Sequence, residues 1–213
     1  MYLVVEALPY LLSGLKYTII MAIFSLFIGF VIGIILGIAR FYGGRFSNAI
    51  ALIYGRIIRS IPVIVMVMML YLIIQSIIDL SPIACVIVAL GLHSGAYQAE
   101  IIRGALGSVS KGEIMAAKTL GMTNKQVFIN IIFPQIIINA IPGWTNEVAV
   151  VLKETSNGYV VGATEMLRQA NYFASVNQKY LLMYMLAGLF YLILTYSSSK
   201  ALGKLDLRFR HIE

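Results

Sequence analysis

What most constrains this chain is a series of apolar runs long enough to cross a bilayer. Between Tyr10 and Ala39 the only charged residue is Lys16. In hydrocarbon the backbone must satisfy its own hydrogen bonds, so a run of roughly 20 such residues is a membrane-spanning helix. Comparable runs cover 49–77, 82–104, the stretch from Ile131 past Pro142-Gly143, and 180–201. The expected fold is therefore an all-α integral membrane protein of about five transmembrane helices plus short surface helices, forming one domain over 1–213. Composition agrees: 12% of residues are charged and 60% apolar, against about 25% charged in soluble domains. Glu6 and the absence of a basic residue in the first ten positions argue that the first run stays as a span rather than being removed as a signal peptide.

The formal charge of +7 sits between the spans. Anionic lipid and the positive-inside rule account for it, so no nucleic-acid partner is expected. With five spans, 12 of the 16 lysines and arginines, from Arg40 to Arg210, fall on one side. Lys16, Lys153, Arg168 and Lys179 fall on the other. This split puts the N terminus outside and the C terminus inside.

Within the spans, several patterns carry meaning. Gly29, Gly33 and Gly37 form a GxxxGxxxG ridge, suited either to a subunit contact or to packing within the chain. Pro62 should kink the second span, with Arg56 and Arg59 one turn apart before it. In the third span, Gly91, Gly95 and Ala99 form a small-residue stripe, and His93, Tyr97 and Glu100 a polar one. The polar stripe should face a cavity or tie Glu100 to a neighbouring arginine. The fourth span carries Thr145, Asn146, Glu147, Lys153 and Glu154 after Pro142-Gly143. Glu147 and Glu154 share one face, about 10 Å apart along the axis, and Asn146 and Lys153 share the adjacent face. A Pro-Gly break followed by polar groups is expected to interrupt this helix, as at transporter midplane sites. From Gly158 to Lys179 an extracytoplasmic connection is expected, with a re-entrant or interfacial segment near Glu165-Met166-Leu167.

The one long mixed-polarity segment is 110–135. Ser110 with Glu113, and Thr123 with Gln126, each fit a capping box. Gly121 can take the left-handed conformation that stops the first helix after Leu120. The result is a helix–turn–helix on the membrane surface, with small residues Ala116, Ala117 and Gly121 where a partner can approach. Its plainer reading is an amphipathic linker lying on headgroups.

Ala116-Ala117, Leu120-Gly121-Met122 and Pro134-Gln135, 13 residues after the glycine, resemble the EAA coupling loop of ABC importer permeases. Arg59-Ser60-Ile61-Pro62, Gly95 to Gly104, Lys111-Gly112 and Lys153-Glu154-Thr155-Ser156 are similar to the polar amino-acid uptake subfamily, in family order. Two positions depart from it: Met115 replaces the glutamate of the EAA name, and Asn157 replaces the usual leucine. The resemblance implies a permease subunit of an inner-membrane amino-acid importer, with the cytoplasmic coupling loop at about 105–130. Glu113, Ala116, Ala117, Gly121, Met122 and Lys125 would face a separate ATPase, and Tyr97, Glu100, Asn146, Glu147, Lys153, Glu154 and Thr155 the substrate pathway. It also implies a second permease chain and an extracytoplasmic amino-acid-binding protein. ATP and magnesium would belong to the ATPase, and no cofactor or metal to this chain.

The residues themselves argue against other chemistries. No GxxxxGK[ST] loop, HExxH or GxSxG occurs, the histidines are His93 and His211 alone, and Ser94 beside His93 cannot face it on a helix. The lone Cys85 lies in an apolar run and reads as packing. The competing reading is a self-contained secondary transporter or channel for small polar solutes; an odd span number and no visible internal repeat speak against it. The acidic groups in the spans favour a basic amino acid as cargo.

Overall fold

The computed structural model describes residues 2–210; His211 lies outside the described residues. Among those residues there is no strand. Helix α1 (Tyr2–Tyr42) leads through Gly43-Gly44 into α2 (Arg45–Ser60) and α3 (Val63–Ile77), and α4 is Pro82–Ser108. Two short helices follow, α5 (Lys111–Thr119) and α6 (Asn124–Val127), then a π-helical turn (Phe128–Ile132) and α7 (Phe133–Glu154). A 3₁₀ segment (Thr155–Val161), α8 (Met166–Asn177) and α9 (Tyr180–Arg210) complete the chain. Four helical stretches are long and apolar enough to cross a membrane, Tyr2–Tyr42, Pro82–Ser108, Asn124–Val161 and Tyr180–Lys204; α2 and α3 pass that test only when taken together, and they meet at 103°.

Helices α1 and α4 form the centre, and the glycine ridge is the reason they approach so closely. A Cβ on Gly33 would lie 2.6 Å from the Gln98 Cβ, and one on Gly37 2.9 Å from the Ile102 Cβ. In return, Ile28 and Ile32 of α1 fill the spaces left by Gly91 and Gly95, 2.7 Å from where a Cβ would stand. Both small-residue stripes are thus used within the chain. A second core joins Ala7 and Leu11 of α1 to Met166, Ala170 and Phe173 of α8 and Met183 of α9. Large apolar side chains such as Ile23, Phe24 and Phe27 remain exposed on α1, as a lipid-facing surface requires.

Local chemistry sets the helix starts. Ser81 caps α4 by accepting from the Ala84 N–H at 3.3 Å, with Pro82 at the first helical position. Pro62 does more than kink the second span. Ile61 (φ −87°, ψ 125°) and Pro62 (φ −56°, ψ 133°) are both extended, and the helices on either side meet at 103°. The proline ring disfavours the helical conformation of the residue before it, so the helix ends there and restarts.

The other proline behaves in the opposite way. Pro142 lies inside α7, which runs without interruption from Phe133 to Glu154, so the expected Pro-Gly break is absent. A Cβ at Gly143 would meet Ile101 of α4 at 2.9 Å, and Trp144 packs edge-on against Phe30 of α1 at 5.6 Å. Neighbouring helices pack over this segment, and the helix continues through the lost hydrogen bond. The irregular turns instead flank α7, and Gly162 (φ 82°) closes the 3₁₀ segment. The connection 158–179 contains the rest of that segment and the helix α8.

Candidate functional site

The α5–α6 turn is built from its caps. Helix α5 stops in a Schellman arrangement: Gly121 (φ 82°) donates to the Lys118 carbonyl at 3.0 Å, and Met122 to the Ala117 carbonyl at 3.1 Å. The second capping box is complete: Thr123 Oγ1 accepts from the Gln126 N–H at 3.3 Å, and Gln126 Oε1 from the Thr123 N–H at 2.8 Å. The first is not. Ser110 accepts from the Gly112 N–H at 3.2 Å, while Glu113 turns away and accepts from Gln135 Nε2 of α7 at 2.5 Å. The charge-assisted bond to α7 replaces the local reciprocal one.

Ala116, Gly121 and Lys125 are exposed, and Met122 is half-buried. Ala117, expected on the approachable surface, is buried inside the hairpin at 3% exposure. Among the large apolar residues of the turn, Leu120 is the most exposed at 84%, followed by Met115. Between α5 and α7 runs a groove of about 670 Å³ lined by Glu113, Ala116, Leu120, Met122, Pro134 and Gln135. An exposed apolar knuckle thus lies beside an apolar groove, on a turn closed by its own caps.

The second region is a polar line inside the helix bundle. Glu147 of α7 is buried and accepts from Ser94 Oγ of α4 at 2.6 Å. Gln98, one turn on, donates to Ser94 Oγ at 3.0 Å and to the Leu26 carbonyl of α1 at 3.1 Å. Glu154 lies 3.4 Å from His93 Nδ1. The His93 ring packs against Tyr97 at 5.1 Å, and the Arg59 guanidinium lies over Tyr97 at 5.8 Å. Both carboxylates of α7 therefore face α4.

Asn146 and Lys153 are exposed on the neighbouring face of α7, and Lys153 forms no ion pair among the described residues. Thr155 is buried and donates to the Leu152 carbonyl at 2.8 Å. Glu100 is tied to arginines: it accepts from Arg40, Arg59 and Arg103. In the sequence Ser94 figures only as a residue that cannot face His93, and Gln98 only within the Gly95–Gly104 match, although their spacing of four places the two on one helix face.

A third polar cluster gathers at Glu165, where the sequence suggests a re-entrant or interfacial segment but not a buried carboxylate. Glu165 is fully buried and caps α8, accepting from the Leu167 N–H at 2.7 Å and the Arg168 N–H at 2.5 Å. Tyr191 Oη of α9 donates to it at 2.7 Å, and Thr18 of α1 accepts from the next residue's N–H at 3.2 Å. Glutamate is not a preferred capping residue, and only the fold brings these elements together.

Comparison with known proteins bears on this geometry. The model of the binding-protein-dependent transport system inner membrane component family matches residues 29–211. The glutamine transport system permease protein GlnP of Escherichia coli strain K12 is 32% identical over 207 residues, covering 96% of this chain and 94% of that one. The nopaline transport system permease protein NocM of Agrobacterium fabrum is 34% identical over 209 residues, covering 93% and 87%. A solved amino acid ABC transporter with histidines superposes with a TM-score of 0.88 at 30% identity, over 96% of each chain.

Proposed function

Since this chain belongs to the family of binding-protein-dependent transport system inner membrane components, we propose that it is the amino-acid permease subunit of an ATP-driven importer. The α5–α6 turn carries this reading. It presents Leu120 and Met115 to a partner on a scaffold whose hydrogen bonds are already satisfied, and Glu113 connects it to α7. An ATPase subunit docks there, against Glu113, Ala116, Gly121, Met122 and Lys125, with ATP and magnesium on its own chain. Met115, in place of the usual glutamate, makes that contact apolar.

The assembly holds a second permease chain, two ATPase subunits and an extracytoplasmic binding protein. The N terminus lies outside and the C terminus inside. ATP-driven closure of the ATPases displaces α5 and α6, and the spans rock between outward- and inward-open states around a central pathway. Glu147, Glu154 and Tyr97 line that pathway, joined by His93. Glu154 lies against the His93 imidazole and Glu147 is held by Ser94 Oγ, so the pathway carries two carboxylates and favours a basic amino acid over an acidic one.

Reconstitution tests the proposal. The chain alone in liposomes should neither hydrolyse ATP nor take up labelled amino acid, and both activities should return with the ATPase and the binding protein. Uptake by the chain alone, driven by a proton gradient, would replace this reading with a self-contained carrier.

A further inference from the structure

At one end of the bundle, three helices bring their guanidiniums onto a single carboxylate. Arg40, in the last turn of α1, and Arg59, in the last turn of α2, both bond Glu100 Oε1, the latter at 3.1 Å. Arg103 donates through Nε to Oε2 at 2.8 Å. Arg56, one turn before Arg59, is exposed and has no acid partner among the described residues. One carboxylate offsets one of these charges and leaves the others unbalanced. The side chain of Arg40 is 14% exposed, and its Nε is buried without an acceptor. A buried charged donor without an acceptor is costly, and an anion bound beside it would satisfy it.

The surface beside the cluster indicates which one. Helix α2 packs through Ala51 and Gly55 and turns Phe46, Ile50, Ile53 and Ile57 outward as one exposed apolar stripe. At 100° per residue, Arg45, Arg56 and Arg59 form a basic flank between these two faces. A helix of this pattern lies in the membrane interface, its apolar stripe among acyl chains and its basic edge at headgroup level. The arginine cluster continues that edge into the bundle.

We propose that Arg40, Arg56, Arg59 and Arg103 form a site for the headgroup phosphate of an anionic phospholipid, whose acyl chains lie along the α2 stripe. Guanidinium forks match phosphate oxygens bidentately, and basic pockets between helices at the cytoplasmic surface suit such headgroups. Glu100 is a positioning residue: it holds three of the forks in place and competes with the phosphate for them.

The test is native mass spectrometry of the full chain released from nanodiscs of mixed phosphatidylglycerol and phosphatidylcholine, with inorganic phosphate as a separate titration. Wild type should retain phosphatidylglycerol selectively. Arg56→Gln and Arg103→Gln should each weaken retention about fivefold. Glu100→Gln should strengthen it, an outcome that a purely structural ion cluster would not give. Equal retention of the two lipids overturns the proposal, as does inorganic phosphate binding as tightly as the lipid, or weaker retention by folded Glu100→Gln. Should Glu100→Gln not fold, Arg56→Gln decides alone, because that side chain is exposed and unpaired, and unchanged retention overturns the site. Loss of the lipid when the whole transporter is assembled would assign the stripe to a subunit contact instead.

Discussion

The Gln135 amide of α7 donates to the Glu113 carboxylate of α5 at 2.5 Å, across 22 residues of chain. It ties α5 to the first turn of α7, so under the proposed mechanism a displacement of α5 would pass to α7 through it. An exposed charge-assisted bond of this kind is worth about 1 kcal/mol. Glu113→Ala and Gln135→Ala should each lower uptake by the assembled transporter about fivefold, and the double variant should be no worse than either. A double-mutant cycle on transport rate checks this; additive losses would show that the pair acts as two separate groups.

Gly121 allows backbone strain to be separated from bulk. Its φ is 82°, and a Cβ there would meet nothing within 4 Å of its own chain. Valine in this conformation costs roughly 1–2 kcal/mol, whereas asparagine tolerates it. Gly121→Val should insert normally yet lose stimulated ATPase activity, and Gly121→Asn should keep most of it. Equal loss in both variants would point to a steric clash at the docking surface.

For cargo selection the decisive variant is Glu147→Gln. It retains the contact with Ser94 Oγ, now 2.6 Å from the carboxylate, while removing the charge. Uptake of arginine should fall and competition by glutamine should rise. If both are unchanged, selectivity lies in the external binding protein.

Glu165 is expected to matter for stability rather than transport chemistry. Removing it orphans two backbone donors at the start of α8 and the Tyr191 hydroxyl. Each group left unsatisfied costs about 1–3 kcal/mol. Glu165→Ala should lower the thermal midpoint of the detergent-solubilised chain by several degrees, and Tyr191→Phe by less. A Tyr191→Phe loss as large as that of Glu165→Ala would move the weight of the cluster from the cap to the tyrosine.

Features governed by near neighbours along the chain are legible in the residues alone. The apolar runs imply spans because hydrocarbon leaves the backbone no other partner. The left-handed stop at Gly121 and the Thr123–Gln126 box follow from the conformational range of glycine and from a three-residue reach. Ser110 and Glu113 have the same spacing, yet that box does not close, because Gln135 arrives from 22 residues away with a competing donor.

The two mid-span prolines show most directly what tertiary structure decided. Each removes one backbone hydrogen bond, so composition alone makes them equivalent. At Pro62 two extended residues turn the chain by 103°; at Pro142 the helix continues, because Ile101 fills the space over Gly143 and Trp144 is packed on Phe30. The glycine ridge likewise does not name its own partner; Gln98 and Ile102 of α4 occupy it only in the folded chain. Sequence determined the apolar helical runs and the caps that close locally, at Gly121 and Thr123. Packing between distant segments decided which helices bend, and which buried charge answers which, because the partners that settle those energies are remote in the chain.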